Sequence, residues 1–282
     1  MRHPTFVTLC LLGTVALTAC QQGVSRTQAA RAVAEAEAVD QTNLSDIMLT
    51  VADPTEAVTY FKNALAVSPD KVELKRNLAK SEARAGLYAE AAVVLTGILA
   101  TPAANNNDRL NLADVLIRSN DWAKAETVLN SIPPNVESFE RYRLEALVAD
   151  SKIDWKKADS FYSIAVGMTT KPQGVLNNWG YSKLTRGDGP GAEKLFIQAL
   201  TYDPAMFTAK NNLVLARAAQ HKYDLPVVDM TQQERAHLTY TAALAAIKQG
   251  DTVTGKRLLQ DSIDISPTYF EEAARSLAAL NG

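Results

Sequence analysis

Apolar residues recur along this chain at helical rather than strand spacing. From Asn43 to Ala52, Leu44, Ile47, Met48 and Val51 fall at i, i+3, i+4 and i+7, the stripe of an amphipathic helix. Beyond Asp53-Pro54, which reads as a cap and first residue of the next helix, the pattern becomes periodic on a larger scale. A small residue recurs at Ala57, Ala91, Ala125, Ala158 and Ala192, in steps of 34, 34, 33 and 34 residues. Four residues after each comes Phe61, Leu95, Leu129, Tyr162 or Phe196, and seven after comes Ala64, Ile98, Ile132, Ala165 or Ala199. Registers that agree across five copies predict a repeated pair of helices, each pair too small to bury its apolar face alone.

Turn residues sit where such a unit needs them. Prolines close or follow the units at Pro69, Pro102, Pro133-Pro134, Pro172 and Pro204, where a helix cannot continue. Inside units, Ala85-Gly86, Ser119-Asn120-Asp121 and Arg186-Gly187-Asp188 suit tight reversal. The best-formed copy is Val175 to Pro204, two helices packed around Gly180 on the first and Ala192 on the second. The following unit starts normally at Asn211, Asn212 and Leu213, but Pro226 occupies the small-residue slot, predicting an extended break from Asp224 to Thr231. Helix resumes at Thr231, capped with Glu234 three residues on. A final unit runs through Ala243, Gly250-Asp251, Gly255, Leu259, Ser262 and Pro267, and Thr268 to Leu280 reads as a terminal helix covering the last apolar face. No strand-like alternation rivals these patterns, so the fold class is all-α.

Trp179-Gly180, Ala192, Phe196, Ala199 and Pro204 resemble the tetratricopeptide repeat (TPR) in identity and spacing, and the resemblance covers Asn43 to Pro267 with a degenerate sixth unit. It implies a TPR-type right-handed helical solenoid of about six to seven helix-turn-helix units with a C-terminal capping helix, binding peptides or partner proteins without catalysis of its own.

The first twenty residues obey another logic. Arg2 and His3 precede an apolar run, Phe6 to Leu17, broken only by Thr8, Gly13 and Thr14 and too short for a stable membrane span. Leu17-Thr18-Ala19-Cys20 resembles the bacterial lipobox. The resemblance implies diacylglycerol on the Cys20 sulfur, cleavage before Cys20 and acylation of the freed amine, an anchor far firmer than one acyl chain. Gln21 and Gln22 follow where enteric inner-membrane lipoproteins usually carry Asp, which implies a periplasm-facing place on the outer membrane. Cys10 leaves with the signal and Cys20 takes lipid, so no disulfide or cysteine metal site is expected. The expected organisation is 1–19 signal peptide, 20–42 lipidated tether and N-terminal helix (Thr27 to Val39), 43–223 repeat array, and 224–282 break, last unit and cap.

Charge narrows the function by exclusion. Lys plus Arg, 29, balance Asp plus Glu, 31, leaving a net charge of −2 and no basic stripe for nucleic acid. The processed chain keeps two histidines, His221 and His237. Glu234-Arg235-Ala236-His237 has the Glu-x-x-His form of a di-iron bundle but no second copy. Gly187 to Gly191 lacks the Lys-Ser/Thr of a phosphate loop and reads as a turn. No catalytic residue, metal site or cofactor is therefore expected.

Asparagine is the residue type that suggests a working surface. Fourteen residues before the small slots stand Asn77, Asn111, Asn178 and Asn212, with Leu144 in the fourth unit. In TPR proteins this position lines the concave wall, where an amide can donate to and accept from an extended peptide backbone; equally, it can bond a neighbouring helix. Arg76, Lys80, Lys183 and Lys210 could add attraction for acidic segments, without reproducing the family's carboxylate clamp. Tyr88, Trp122, Trp155 and Tyr223, just after the turns within units, read as packing residues. Repeats plus lipobox resemble the TadD-type TPR lipoproteins of Flp/Tad pilus assembly, implying a pilotin-like adaptor whose partner is a secretin or pilus-assembly component. A general periplasmic adaptor for outer-membrane biogenesis or peptidoglycan enzymes is the alternative.

Overall fold

A computed structural model describes residues 43–281. The chain divides into two compact units, Met1–Asp53 and Pro54–Gly282. Of the first, the described residues form helix α1 over 43–50. The signal peptide, Cys20 and the helix expected from Thr27 to Val39 lie outside the described residues.

The second unit is built of helices alone among its described residues. In chain order these are α2 (Pro54–Val67), α3 (Val72–Arg84), α4 (Tyr88–Leu99), α5 (Asn106–Arg118), α6 (Trp122–Asn130), α7 (Phe139–Ser151) and α8 (Trp155–Gly167). After them come α9 (Gln173–Thr185), α10 (Gly189–Tyr202), α11 (Phe207–Ala218), α12 (Gln232–Lys248), α13 (Thr252–Ile265) and α14 (Glu271–Ala279). The pairs α3/α4, α5/α6, α7/α8, α9/α10 and α12/α13 are the repeat units, stacked in a helical solenoid in which the unpaired helix α11 joins α9/α10 to α12/α13.

The small slots are fully sealed from solvent. Ala57, Ala91, Ala125, Ala158 and Ala192 are all at 0% exposure, and the larger residues four positions on are buried beside them. At Gly180 an added Cβ would lie 2.6 Å from the Phe196 ring, so the first helix of that unit presents bare backbone to a fully buried aromatic. Gly255 does the same work in the last pair, where a Cβ would meet Ile247 at 2.3 Å. The buried side chains run as overlapping clusters along the unit. Leu147 packs against both the α3–α7 and the α7–α9 clusters, and Trp179 against both the α7–α9 and the α9–α11 clusters.

The turns within units share one backbone solution. A residue with positive φ is followed by an Asp whose side chain accepts from the N–H three residues on. Asn120-Asp121, Ile153-Asp154, Gly187-Asp188 and Gly250-Asp251 all have this form. Gly86-Leu87 keeps the positive φ without the acid. Ile153 is the exception in side chain, a β-branched residue held at φ 61° and 69% exposed, so it bears backbone strain with little packing in return.

The break is real, and its start is a repeat turn that fails. His221 has φ 59°, as the turn requires, but Lys222 stands where the capping Asp should be and Pro226 in the small slot. No second helix forms, and residues 221–231 have no regular structure. Leu225 and Met230 pack against the α11–α14 cluster and Val228 against the α9–α11 cluster, so the break fills part of the missing helix's volume. Helix α12 then starts at the expected capping box, Thr231 with Glu234. The terminal helix begins later than its sequence suggests, at Glu271 rather than Thr268. Phe270 stays outside the helix, at φ −107° and ψ 85°, and its buried ring packs on His237 and Tyr240 at centroid distances of 4.6 and 5.3 Å.

Replacing Ile153 by Gly should raise stability by about 1 kcal/mol, because Gly populates positive φ without a Cβ clash. A higher urea midpoint is the expected result, and a lower one contradicts the strain.

Candidate functional site

Successive first helices carry polar side chains that reach one another across about one repeat. Arg76 on α3 grips Asp108 on α5 through Nε and Nη2, both at 2.8 Å, and also pairs with Glu73. Asp114 on α5 accepts from Arg143 on α7 at 2.8 Å. Asp150 on α7 accepts from Ser182 on α9 at 2.7 Å. Asn212 on α11 donates to Asn177 on α9 at 3.0 Å. Lys210 and Asn211 on α11 then bond Glu234 and Thr241 on α12. Burial alone would raise the Asp108 carboxyl, but the Arg76 guanidinium and the Asn105 backbone N–H hold it below its ordinary range. Asp150 has only hydroxyl donors, Ser182 and Tyr162, and there burial prevails and raises it.

Two hollows open on the face that these first helices present. The first, about 370 Å³, lies between α3, α5 and α7. Asn77 and Asn111 line it together with Lys80, Arg118 and Arg143, over an apolar floor that includes Leu110 and Leu144. The second, about 510 Å³, is lined from α7, α9 and α11 by Asp150, Asn178, Tyr181 and Asn212, with Trp122 and Trp155 at the starts of α6 and α8.

The structure thus brings the four asparagines to one face but gives them unequal freedom. The amides of Asn77, Asn111 and Asn178 make no hydrogen bond among the described residues. Asn212 is buried, 8% exposed, and its amide is committed to Asn177.

The basic neighbours divide as well, and the expectation that all four attract acidic segments is corrected. Arg76 is neutralised by Asp108 and Glu73. Lys183 pairs with Asp159 at 3.2 Å and Asp188 at 3.5 Å. Lys210 is 3% exposed and pairs with Glu234 at 3.1 Å. Lys80 remains exposed and without an ion pair among the described residues. The groups that replace the other three as cations on this face, Arg118 and Arg143, were missed. The signal for them was present, since Asp114 and Arg143 are polar residues 29 apart on matching helices.

The aromatics after the turns are half-buried. Trp155 lies under Arg186, 5.5 Å from ring centroid to guanidinium, and Trp122 donates to Asn120 Oδ1 at 2.6 Å. Both also line the second hollow. Glu234 and His237 serve structure: the carboxylate caps α12 and pairs with Lys210, and the imidazole contacts Gln233 and Phe270. Gly187 to Gly191 is a turn and first helical residues, with the Asp188 carboxylate on the Gly191 N–H. Among the described residues no group of three or more His, Cys, Asp or Glu is placed to hold a metal, and no helix is long and apolar enough to cross a membrane.

Comparison with known proteins agrees with the repeat fold. Two tetratricopeptide repeat models match, at residues 43–107 and 84–150. No curated protein sequence matches the chain. Among solved structures, the chain is similar to one from the APC/C hetero-tetramer Cut9–Hcn1, at 13% identity and a TM-score of 0.60. That match covers 84% of this chain and 48% of the other, so this chain spans about half the length of that relative. A tetratricopeptide repeat protein from Parabacteroides merdae matches at 15% identity and a TM-score of 0.56, covering 85% of this chain and 97% of that one. The C-terminal part of a TPR repeat-containing protein from Cytophaga hutchinsonii matches at 15% identity and 0.51, covering 83% and 98%. The chain carries tetratricopeptide repeats, and its fold is that of a TPR helical solenoid.

Replacing Asn212 by Ala should destabilise the protein by about 1–3 kcal/mol, because the Asn177 carbonyl oxygen is left buried and unbonded. Asn178→Ala should change stability by less than about 0.5 kcal/mol. Urea unfolding of the two variants checks this, and equal losses would contradict the assignment.

Proposed function

We propose that the protein is a non-catalytic protein–protein interaction scaffold, held by lipid on Cys20 at the periplasmic face of a bacterial outer membrane. The observation that carries the scaffold reading is the polar surface left unspent on the first helices. Asn77, Asn111 and Asn178 line two adjoining hollows without internal hydrogen bonds, beside the incompletely neutralised Arg118 and Arg143. An amide on a wall of successive repeats can serve a peptide backbone as donor and acceptor together, which suits capture of an extended segment. Tetratricopeptide repeats, matched over 43–150, are built for such capture and for no chemistry of their own.

The anchor rests on Leu17-Thr18-Ala19-Cys20 following an apolar run. Two or three acyl chains would keep the scaffold at the membrane surface, where partners are confined to the same layer. The narrower role is an assembly or pilotin-like adaptor for Flp/Tad pilus secretion, with a secretin or pilus-assembly component as partner. Its support is the resemblance of the whole chain, lipobox and repeats together, to TadD-type lipoproteins.

Cys20→Ala should move the protein from the outer-membrane fraction to the soluble periplasm, and the amount of assembled secretin in the outer membrane should fall with it. Continued pelleting of the variant with outer membranes would contradict the anchor. A released variant with undiminished secretin assembly would contradict the pilus role and favour a general periplasmic adaptor.

A further inference from the structure

Helix α7 is a wall common to both hollows. Glu140, Arg143 and Leu144 line the first, and Leu147, Asp150 and Ser151 line the second. Steps of three and four residues keep all six on one face of the helix, so the hollows are consecutive stretches of one surface.

Their chemistries are opposite. In the first, a single carboxylate, Asp114, is shared by two guanidiniums, from Arg118 Nε at 2.6 Å and from Arg143 Nη2 at 2.8 Å. Each guanidinium has five N–H donors, so most donors are unspent and one positive charge is left over. Lys80 adds another on the same wall, and the exposed Glu140 carboxylate offsets one of the two, so the hollow keeps a positive excess. In the second, the Asp150 carboxylate is bonded by two hydroxyls, Tyr162 and Ser182, each at 2.7 Å, and has no ion pair among the described residues. Trp122, Trp155 and Tyr181 surround it with ring surface. Arg186 already rests over Trp155, which shows that this ring accepts a cation.

We propose that the two hollows form one bipartite groove for an extended peptide segment, with an acidic side chain seated at Arg118 and Arg143 and a Lys or Arg seated at Asp150 and its rings. The inference rests on the reading of this face as a partner-binding surface and specifies what the partner must carry. Arg143 and Asp150 are seven residues apart, about 10 Å along the helix. In an extended chain, residues four apart point the same way and lie about 13 Å from each other. The reach of the side chains absorbs the difference, so the segment is of the form acid-x-x-x-base. Asn111 and Asn178, one in each hollow, are placed to hold the backbone of that segment.

The test is fluorescence anisotropy with the full-length chain in detergent and three labelled synthetic peptides: Glu-x-x-x-Lys in a neutral context, its Glu→Gln form and its Lys→Met form. The parent should bind about tenfold tighter than either neutralised form, the usual scale of one charge-assisted contact. Arg118→Gln should abolish the preference for Glu while keeping that for Lys, and Asp150→Asn, whose amide oxygen still accepts from one hydroxyl while its NH2 donates to the other, should do the reverse. Lys80→Met and Tyr181→Ala, both exposed, repeat each arm without touching a structural bond. Wild-type protein that binds all three peptides alike would overturn the groove, as would variants that lose both preferences together while circular dichroism is unchanged. Failure here with intact capture of a partner in cells rejects the charge pattern alone and leaves the scaffold standing.

Discussion

The constraint on which the rest of this protein depends is the close approach of two helices within each repeat. It is possible only where one helix offers a methyl group or less. Ala192 gives up its volume on one helix and Gly180 on the other, so that the Phe196 ring can lie against bare backbone with no exposure. A buried phenylalanine contributes about 1.5–3 kcal/mol of apolar burial, and tight packing at the small position makes that contribution specific to one geometry. Because the same arrangement recurs about every 34 residues, each unit meets the next in nearly the same way, and a solenoid results.

Packing by size fixes the pairs, and polar bonds between first helices align one pair with the next. Those bonds consume charges that would otherwise face solvent. Arg76 and Lys210 are used this way and Lys183 is spent on Asp159 of the second helix α8, whereas Asp114 is outnumbered by its two arginines and Asp150 is satisfied by hydroxyls alone. The proposed binding surface is therefore what remains after alignment. Its cationic and anionic ends follow from which carboxylates found guanidiniums and which did not.

The fold was legible in the sequence because its signals are local and repeated. The small slots, the turn residues, the Thr231–Glu234 cap and the damage done by Pro226 each act within a few residues of themselves. Ile153 escaped notice because nothing in its identity marks positive φ; the turn imposes that conformation. The terminal helix was extended too far because Phe270 leaves helical geometry for a tertiary contact with His237 and Tyr240. The site was less legible for the same kind of reason. Asn212 and Asn178 occupy equivalent positions in sequence, and only the Asn177 amide within reach separates a structural residue from a free one. Arg76 and Arg143 are alike as letters, and the number of carboxylates each meets decides their roles.

The central claim is that a partner lies along the first helices and not on the second. Photo-cross-linking amino acids introduced singly at Asn111 and Asn178, and at Val93 and Ile197, which are 73% and 49% exposed on α4 and α10, test it inside cells. Cross-linkers at 111 and 178 should capture one and the same protein, and those at 93 and 197 should not. Capture of that protein through 93 and 197, with none through 111 and 178, would contradict the account.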